Sequence, residues 1–268
     1  PVSTLYGSDA MGGVVNIITR KVGDHWVGAV SSNYTLQSDD AFGDLYGGDF
    51  YASGPLVAGR LGLAVRGSWS GRQQSSLTYE DVNGVPTPVG GFGRSSTENE
   101  IWTAGARLSW TPHADHDLWV DVDVARQWYD NSNRQMGTNT TAGGYADALE
   151  FNRDQVALAH DWRLPFGELQ SNLSIGRTET IGRIIPNGVA GAGNPRTLES
   201  ENRIFDTKLF SQWQAHTFTV GGQYWEAGMV DGVAPTTFEH TPWAVFLEDE
   251  WRLVDGIART VGAHHDDH

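Results

Sequence analysis

Hydrophobic and polar residues alternate over long stretches of this chain. In residues 102–110 the odd-numbered positions are mostly polar, and the even-numbered ones are Trp102, Ala104, Ala106, Leu108 and Trp110. In the next stretch, Asp121 and Asp123 alternate with Val120, Val122 and Val124. Successive side chains of a strand point to opposite faces, so this period of two predicts strands with one apolar and one polar face.

The same pattern predicts about eleven strands. They cover residues 26–36, 44–54, 60–70, 102–110, 118–128, 152–162, 168–178, 201–213, 216–226, 242–253 and 257–265. Short connections alternate with long polar segments, which are residues 73–97, 129–150, 179–200 and 227–241. A transmembrane barrel has this arrangement, because each hairpin has a tight turn at one end and a long loop at the other.

Aromatic residues lie near the ends of the predicted apolar faces, where a membrane barrel carries its aromatic girdles. These positions are Trp26, Trp69, Trp102, Trp110, Trp128, Trp162, Trp213, Trp243 and Trp251. The alternative is a soluble β-sandwich, solenoid or propeller, whose inward faces also alternate. Charged residues in mid-strand, such as Asp206 and Lys208, and strands longer than the usual five or six residues argue against it.

Composition excludes some classes of function and disfavours others. The 268 residues include 33 Gly and no Cys, so disulfides, thiol catalysis and thiolate metal sites are excluded. A formal net charge of −15 disfavours nucleic acid as a partner. No apolar run approaches the ~18 residues of a membrane-spanning helix. The sequence therefore favours a β-rich protein with many turns.

No local signature of catalysis or of a resident metal stands out, so we predict neither an enzyme nor a metal site. The turn segment with His113, Asp115, His116 and Asp117 is interpreted as solvated turn residues. The closing run 264–268 contains three His and two Asp, but strand alternation would point His264 and His265 to opposite faces. The glycine-rich segment 90–93 has no following Lys-Ser/Thr pair, which excludes a phosphate-binding loop.

The chain opens with a turn and a short β-branched strand, PVSTLYGSDAMGGVVNIITRK. This segment resembles the end of the plug domain in TonB-dependent outer-membrane receptors, where such a segment immediately precedes the first barrel strand. The residues that carry the resemblance are Tyr6, Gly7, Asp9, Gly12, Gly13 and Asn16. It implies that residues 1–22 end a plug and that residues 23–268 form the first half of a barrel.

Four further segments resemble the colicin I receptor and its catecholate siderophore relatives. They are FYASGPL, SWTPHADHDL, HTFTVGGQYWE and WAVFLEDEWRLVDG. The resemblance implies an all-β fold, a transmembrane antiparallel β-barrel with about eleven strands of a 22-stranded, plugged barrel present. Because the chain starts with Pro1 inside what reads as a domain's last strand, we expect an internal fragment.

The function that the resemblance implies is import of ferric siderophores across the outer membrane of a Gram-negative bacterium. Energy would come from the TonB–ExbB–ExbD system, and bacteriocins or phage are further partners. No cofactor is expected, since iron enters only within the transported complex. The plug-end motif also occurs in cobalamin receptors, so haem, cobalamin or another chelate stay open as ligands. A passive porin-like or surface-binding barrel is the rival class, and such a barrel has no reason to carry the motif.

A ferric catecholate complex is anionic and flat-faced, so its capture calls for Arg together with aromatic rings. The long polar segments contain such residues, and the candidates for ligand binding are Arg72, Tyr79, Phe92, Arg94, Arg134 and Tyr145. A third long segment adds Arg183 and Arg196.

Overall fold

The computed structural model describes residues 23–88, 97–136, 144–233 and 237–267. Within these ranges no helix is long and apolar enough to cross a membrane. Several predicted residues lie outside the described ranges, namely Tyr6, Gly7, Asp9, Gly12, Gly13, Asn16, Phe92 and Arg94. The proposed plug end and two ligand candidates therefore stay predictions.

Fourteen strands are described. Their bounds are β1 Val27–Thr35, β2 Leu45–Val57, β3 Leu61–Arg72, β4 Thr78–Glu80, β5 Pro86–Pro88, β6 Asn99–Trp110, β7 His116–Asp130, β8 Tyr145–Leu164, β9 Gly167–Ile184, β10 Pro195–Trp213, β11 His216–Val230, β12 Thr237–His240, β13 Trp243–Val254 and β14 Ile257–Asp267. Eleven of them pair in chain order in one antiparallel sheet, as predicted, while β12 adds to β11 and β4 pairs only with β5.

The connections alternate between short and long, which confirms the predicted arrangement. Residues 58–60, 111–115, 165–166, 214–215 and 255–256 form short connections at one end of the sheet, called here the turn end. The other end, called the loop end, carries the connections 36–44, 73–98, 131–144, 185–194 and 231–242. All strands of the large sheet thus run between the same two ends.

Four strands, β8 to β11, extend four or more residues further towards the loop end than their apolar pattern predicted. β8 begins at Tyr145 and β10 at Pro195, inside segments that the sequence indicated were loops. Backbone pairing continues there although the outward side chains are charged, as where Arg177 binds Glu199 at 2.8 Å across the strands. Hydrophobic alternation marks only the part of a strand that faces an apolar medium, so it ends before the strand does.

One face of the large sheet, called the apolar face, is covered by hydrophobic side chains that no other layer of the described chain packs against. Cross-strand neighbours on it include Leu63 with Leu108 and Leu173 with Phe205. Val30 is 84% exposed and Leu247 is 49% exposed. Soluble proteins rarely leave an apolar surface of this extent in water, so this face requires an apolar surrounding.

The predicted aromatic girdles are present as two rows on the apolar face. The turn-end row comprises Trp26, Trp110, Trp162, Trp213 and Trp251, and the loop-end row comprises Trp69, Trp102, Trp128 and Trp243. Trp102 and Trp110 bound the apolar part of β6, and at roughly 3.3 Å per residue about 26 Å of strand separates them. With a strand tilt of about 40°, the belt between the rows is about 20 Å tall, close to that of a membrane barrel.

The opposite face, called the polar face, carries an ion cluster in mid-strand. Asp121 binds Arg66 and Arg107 at 2.5 Å each, and Arg66 also binds Asp123. Arg66 reaches β7 by crossing over Gly105 of β6, where a Cβ atom would lie 2.6 Å from Asp123 Oδ1. The mid-strand acids predicted for the polar face are therefore neutralised by neighbouring Arg side chains.

Candidate ligand site at the loop end

A small hydrophobic cluster supports the loop end of the polar face. Tyr129, Met136 and Leu149 are buried, and Tyr145 and Phe151 pack against them. The rings of Tyr129 and Phe151 meet edge to face with centroids 5.8 Å apart, a favoured arrangement of aromatic pairs. The cluster fixes the start of β8, and with it the position of Tyr145.

Buried amides tie three of the loop-end connections together. Asn131 accepts a hydrogen bond from Met136 N at 2.8 Å, which closes the turn after β7. Gln135 donates to Ser75 O at 2.6 Å, and Ser75 Oγ accepts from Gly43 N at 3.0 Å. Each bond satisfies a buried polar group, so the three connections are held in fixed positions relative to one another.

Tyr145 lies beside two arginines at the loop end. Tyr145 of β8 is opposite Arg183 of β9, and Arg183 is opposite Arg196 of β10. Arg183 Nη1 donates to Tyr145 Oη at 3.1 Å, and its guanidinium carbon lies 5.3 Å from the Tyr145 ring centroid. Arg196 forms an ion pair with Asp231 at 2.8 Å. Two guanidinium groups, one of them paired with Asp231, and an aromatic ring therefore lie side by side on three adjacent strands.

The two arginines keep hydrogen-bonding capacity that the described residues do not use. The Nε atoms of Arg183 and Arg196 are buried, and neither has a hydrogen-bond partner within the described ranges. A buried N–H without an acceptor is uncommon and is usually met by water or a ligand. Because guanidinium groups bind carboxylate-like and phenolate oxygens in pairs, this arrangement suits an anion with several oxygens.

The other predicted ligand residues lie on different connections. Arg134 has a positive φ of 61° in the turn after β7, and its guanidinium binds Asp147 at 2.6 Å. Arg72 ends β3 and donates to Gly43 O at 3.3 Å. Tyr79 lies on the separate β4–β5 hairpin and is 54% exposed. No hydrogen bond or ion pair given by the described residues joins these three side chains to Tyr145.

The structure adds residues that the sequence did not indicate. Asp231 follows β11 and holds Arg196, yet a single acid in a polar segment carries no signal of that contact. Asn131 and Gln135 lie in the segment 129–150, which was predicted as a long polar connection, and both are buried. Only strand register and loop packing reveal these roles.

The turn of the β4–β5 hairpin is built on Asp81. Backbone N–H groups of Val85 and Asn83 donate to its carboxylate at 2.8 Å each and lower the pKa of Asp81 below its usual value. A lowered pKa in the folded state means that these bonds stabilise the hairpin above the pKa of the unfolded chain. That stability is lost as the pH falls through the folded value.

We therefore expect protection of the Val85 amide to fall between pH 5 and about pH 2, a range that spans the usual Asp pKa of ~3.9. Amide exchange, corrected for the intrinsic pH dependence of the exchange reaction, measures this. Asp81→Ala should give low protection at both pH values. Equal protection of the two proteins at pH 5 would contradict the assignment.

No group of three or more His, Asp or Glu side chains is arranged to hold a metal ion among residues 23–88, 97–136, 144–233 and 237–267. The closing run behaves as strand alternation predicted. His264 lies near Asp266 on the polar face, with 3.8 Å between Nε2 and Oδ2, whereas His265 packs near Trp243 on the apolar face. The two adjacent histidines therefore cannot share one ion.

No family model matches the chain, but individual relatives do. It is 27% identical over 275 residues to the iron-regulated outer membrane virulence protein of Vibrio cholerae, covering 99% of this chain and 38% of that protein. It is 25% identical over 307 residues to the probable TonB-dependent siderophore receptor PirA of Acinetobacter baumannii, covering all of this chain and 40% of that protein. The chain thus spans about two fifths of the length of these relatives.

Among solved structures, a ferric enterobactin receptor variant from Pseudomonas aeruginosa in complex with enterobactin matches with a TM-score of 0.73 and 19% identity. The match covers 98% of this chain and 43% of that receptor. The fold is that of the barrel wall of these receptors. These relatives and structural neighbours are named as an iron-regulated outer membrane protein, a probable TonB-dependent siderophore receptor and a ferric enterobactin receptor, and none of them is named as an enzyme.

Proposed function

We propose that this chain forms part of the wall of an outer-membrane receptor that imports ferric siderophores into a Gram-negative bacterium. The observation that carries the proposal is the meeting of Arg183, Arg196 and Tyr145 at the loop end of a receptor-type barrel wall. In a barrel with tight turns inside and long loops outside, the loop end faces the medium from which the ligand arrives.

The apolar face supports placement in a membrane. The height of its belt between the two aromatic rows is close to that of the apolar band of a membrane barrel, and no other layer of the described chain packs over its side chains. Lipid supplies the apolar surrounding that this face requires. The relative from Vibrio cholerae is named an outer membrane protein, which supports the same location for this chain.

For the ligand, we propose an anionic chelate of the catecholate type, with iron as part of the cargo. Catecholate oxygens can accept hydrogen bonds from the guanidinium Nη groups of Arg183 and Arg196, which lie beside Tyr145 on three adjacent strands. A structural neighbour is a ferric enterobactin receptor solved with enterobactin. Haem and cobalamin are the alternative ligands, and a binding comparison with a ferric catecholate distinguishes them.

For the energy source, we propose TonB with ExbB and ExbD, acting on a part of the protein outside this chain. The support is the resemblance of Tyr6 to Asn16 to a plug end and the TonB-dependent relative. Within the receptor class, the segments FYASGPL and FLEDEWRL favour the colicin I receptor group. Colicin I or a phage would then be a further partner of the outer loops.

The proposal is tested by uptake of radiolabelled iron as a ferric catecholate. Cells that carry the complete protein are compared with cells that lack it, and both with cells that lack TonB. We expect uptake to require both the protein and TonB. Equal uptake with and without the protein would reject the ligand class. Uptake that needs the protein but not TonB would indicate a passive barrel instead.

A further inference from the structure

A groove on the apolar face runs along β13 and β14 from the turn end into the apolar belt. Its volume is about 410 Å³, which is within the usual size range of small-molecule sites. Its lining at the turn end is Asp249, Trp251 and Arg259, and its lining further into the belt is Leu247, Val261 and Ala263. The groove lies at the opposite end of the sheet from the loop-end ligand site.

Arg259 places an unpaired guanidinium at the level of the turn-end row of tryptophans. It is opposite Trp251 in the pairing of β13 with β14, and it is exposed. Within the part of the chain that the structure describes, no ion pair or hydrogen bond involves its side chain. A lipid-facing Arg is tolerated near the interface, where lipid phosphates lie. Because a guanidinium binds phosphate oxygens in pairs, Arg259 is suited to a lipid phosphate.

Asp249 brings a carboxylate to the same level from the other side of Trp251. His216 of β11 is opposite Trp251, and its Nδ1 lies 3.0 and 2.9 Å from the two carboxylate oxygens of Asp249. Asp249 itself is opposite Phe218, two residues deeper in the belt. The contact with His216 therefore directs the carboxylate back towards the tryptophan row. One N–H does not use all the acceptor positions of a carboxylate, so Asp249 can bind a further donor.

The indole of Trp251 lies where it can contact a cation held by Asp249. His216 stacks on this ring, with centroids 5.5 Å apart and an interplanar angle of 12°. The indole is nevertheless 42% exposed, and it lines the groove beside Asp249. An ammonium over an indole gains a cation–π attraction in addition to the ion pair. The groove therefore has an anion-binding side at Arg259 and a cation-binding side at Asp249 and Trp251.

The part of the groove inside the belt is apolar. Leu247 is opposite Ala263, and Val261 is opposite Asp249. Leu247 is 49% exposed and Val261 is 55% exposed, so both present apolar surface to the groove. Ala263 and its neighbour Gly262 are small and leave room beside these two side chains. Charged groups at the interface, followed by an apolar channel, correspond to a phospholipid headgroup followed by its acyl chain.

We propose that this groove binds one phospholipid whose headgroup carries both a phosphate and an ammonium, as phosphatidylethanolamine does. Arg259 binds the phosphate, Asp249 and Trp251 bind the ammonium, and an acyl chain lies along Leu247 and Val261. In a barrel with its short turns on the inner side, this lipid belongs to the inner leaflet. The inference rests on the proposed membrane location but not on the proposed siderophore ligand.

The opposite charges at one level select among lipids. The phosphate of phosphatidylglycerol can pair with Arg259, but that headgroup has no cation for Asp249, which would then face an anion at a cost in affinity. Phosphatidylcholine keeps the positive charge but has no N–H to donate to the Asp249 carboxylate. Phosphatidylethanolamine should therefore bind more tightly than either of the other two.

The test uses the full-length protein, delipidated in detergent and titrated with phosphatidylethanolamine or phosphatidylglycerol, while native mass spectrometry counts the bound lipids. We expect a tight complex with one phosphatidylethanolamine. Arg259→Gln should weaken binding of both lipids at least about tenfold, the effect of losing one hydrogen bond between charged groups. Asp249→Asn should weaken binding of phosphatidylethanolamine alone, so that the two lipids bind equally.

The matched control is Arg252→Gln. Arg252 adjoins Trp251 on β13, so its side chain lies on the polar face at the same end of the sheet. This variant removes the same charge from the turn end as Arg259→Gln does, and it should leave the affinity for both lipids unchanged.

Unheated gel mobility shows whether each variant is a folded barrel. Equal affinity of the wild type and folded Arg259→Gln for phosphatidylethanolamine would overturn the proposal and indicate bulk lipid only. An unchanged lipid preference in folded Asp249→Asn would overturn it as well. Wild-type protein whose gel mobility does not respond to heating would contradict the membrane location and this inference together. Iron uptake is measured separately, so loss of the lipid site alone leaves the proposed transport intact.

Discussion

Changing both Arg183 and Arg196 to Ala is expected to weaken binding of a ferric catecholate at least about a hundredfold. Hydrogen bonds to a charged group contribute about 1.5–3 kcal/mol each, so loss of one such bond per arginine costs at least about 3 kcal/mol. The two side chains share the loop end with Tyr145, where their guanidinium groups provide donors for an anionic ligand. Fluorescence quenching of the purified full-length protein by the ligand measures the affinity.

The control for this experiment is Arg177→Ala. Arg177 lies on the same strand as Arg183, but it is on the apolar-face side and binds Glu179 and Glu199 at 2.8 Å. We expect its removal to leave affinity unchanged. Arg183→Lys should restore only part of the binding, because the amine keeps the charge without the planar fork. Wild-type affinity in the double variant would exclude these arginines from the ligand site.

The strands of this fold were predictable because a lipid-facing strand must alternate. Each apolar position between the two tryptophan rows faces one medium and each polar position faces another, so the period of two is imposed along the whole belt. The alternation of short and long connections follows from the same geometry. Beyond the belt, on the loop-end side, strand residues need not alternate between apolar and polar. The outer parts of β8 and β10 were therefore predicted as loops, although their backbones are paired with neighbouring strands.

The sequence predicted which residue types form the candidate site but not which of those residues come together. Reasoning from an anionic aromatic ligand selected Arg and Tyr in the long segments, and it named Tyr145, Arg183 and Arg196 among others. Which of them meet depends on the register of three strands, including irregularities between Tyr145 and Glu150 and between Arg196 and Leu198. A bulge shifts the side chains that follow it by one position. In a polar segment hydrophobic residues do not alternate, so the sequence pattern does not indicate where a bulge occurs.

The contact of His116 with His160, whose ring nitrogens lie 3.0 Å apart, could not be predicted from the sequence either. From the sequence, His116 belonged to a polar turn beside His113 and Asp115, and solvated turn residues were the natural interpretation. In the structure His116 starts a strand, and its partner comes from the next strand, beyond a long connection. Contacts between distant residues on a sheet follow from pairing register, which the composition of either segment alone does not contain.

Asp121→Asn is expected to lower the free energy of unfolding of the complete protein by about 3 kcal/mol, since the buried Asp121 carboxylate accepts charged hydrogen bonds from two arginines, each contributing about 1.5–3 kcal/mol. The cluster of Arg66, Arg107, Asp121 and Asp123 is neutral as a whole, with two positive and two negative charges. Asp121 binds both arginines, and its side chain is only 9% exposed. Without its charge, Arg107 Nε loses the carboxylate that it binds.

Asp123 provides the comparison, because it belongs to the same cluster but contacts one arginine and is 32% exposed. Asp123→Asn should cost only about 1 kcal/mol, the usual contribution of one partly exposed hydrogen bond. Urea unfolding followed by tryptophan fluorescence, with unheated gel mobility as a second probe, gives both values. Asp121 has the larger expected effect because it binds arginines from two strands, β3 and β6. Similar losses of unfolding free energy at Asp121 and Asp123 would show that Asp121 is not the central residue of the cluster.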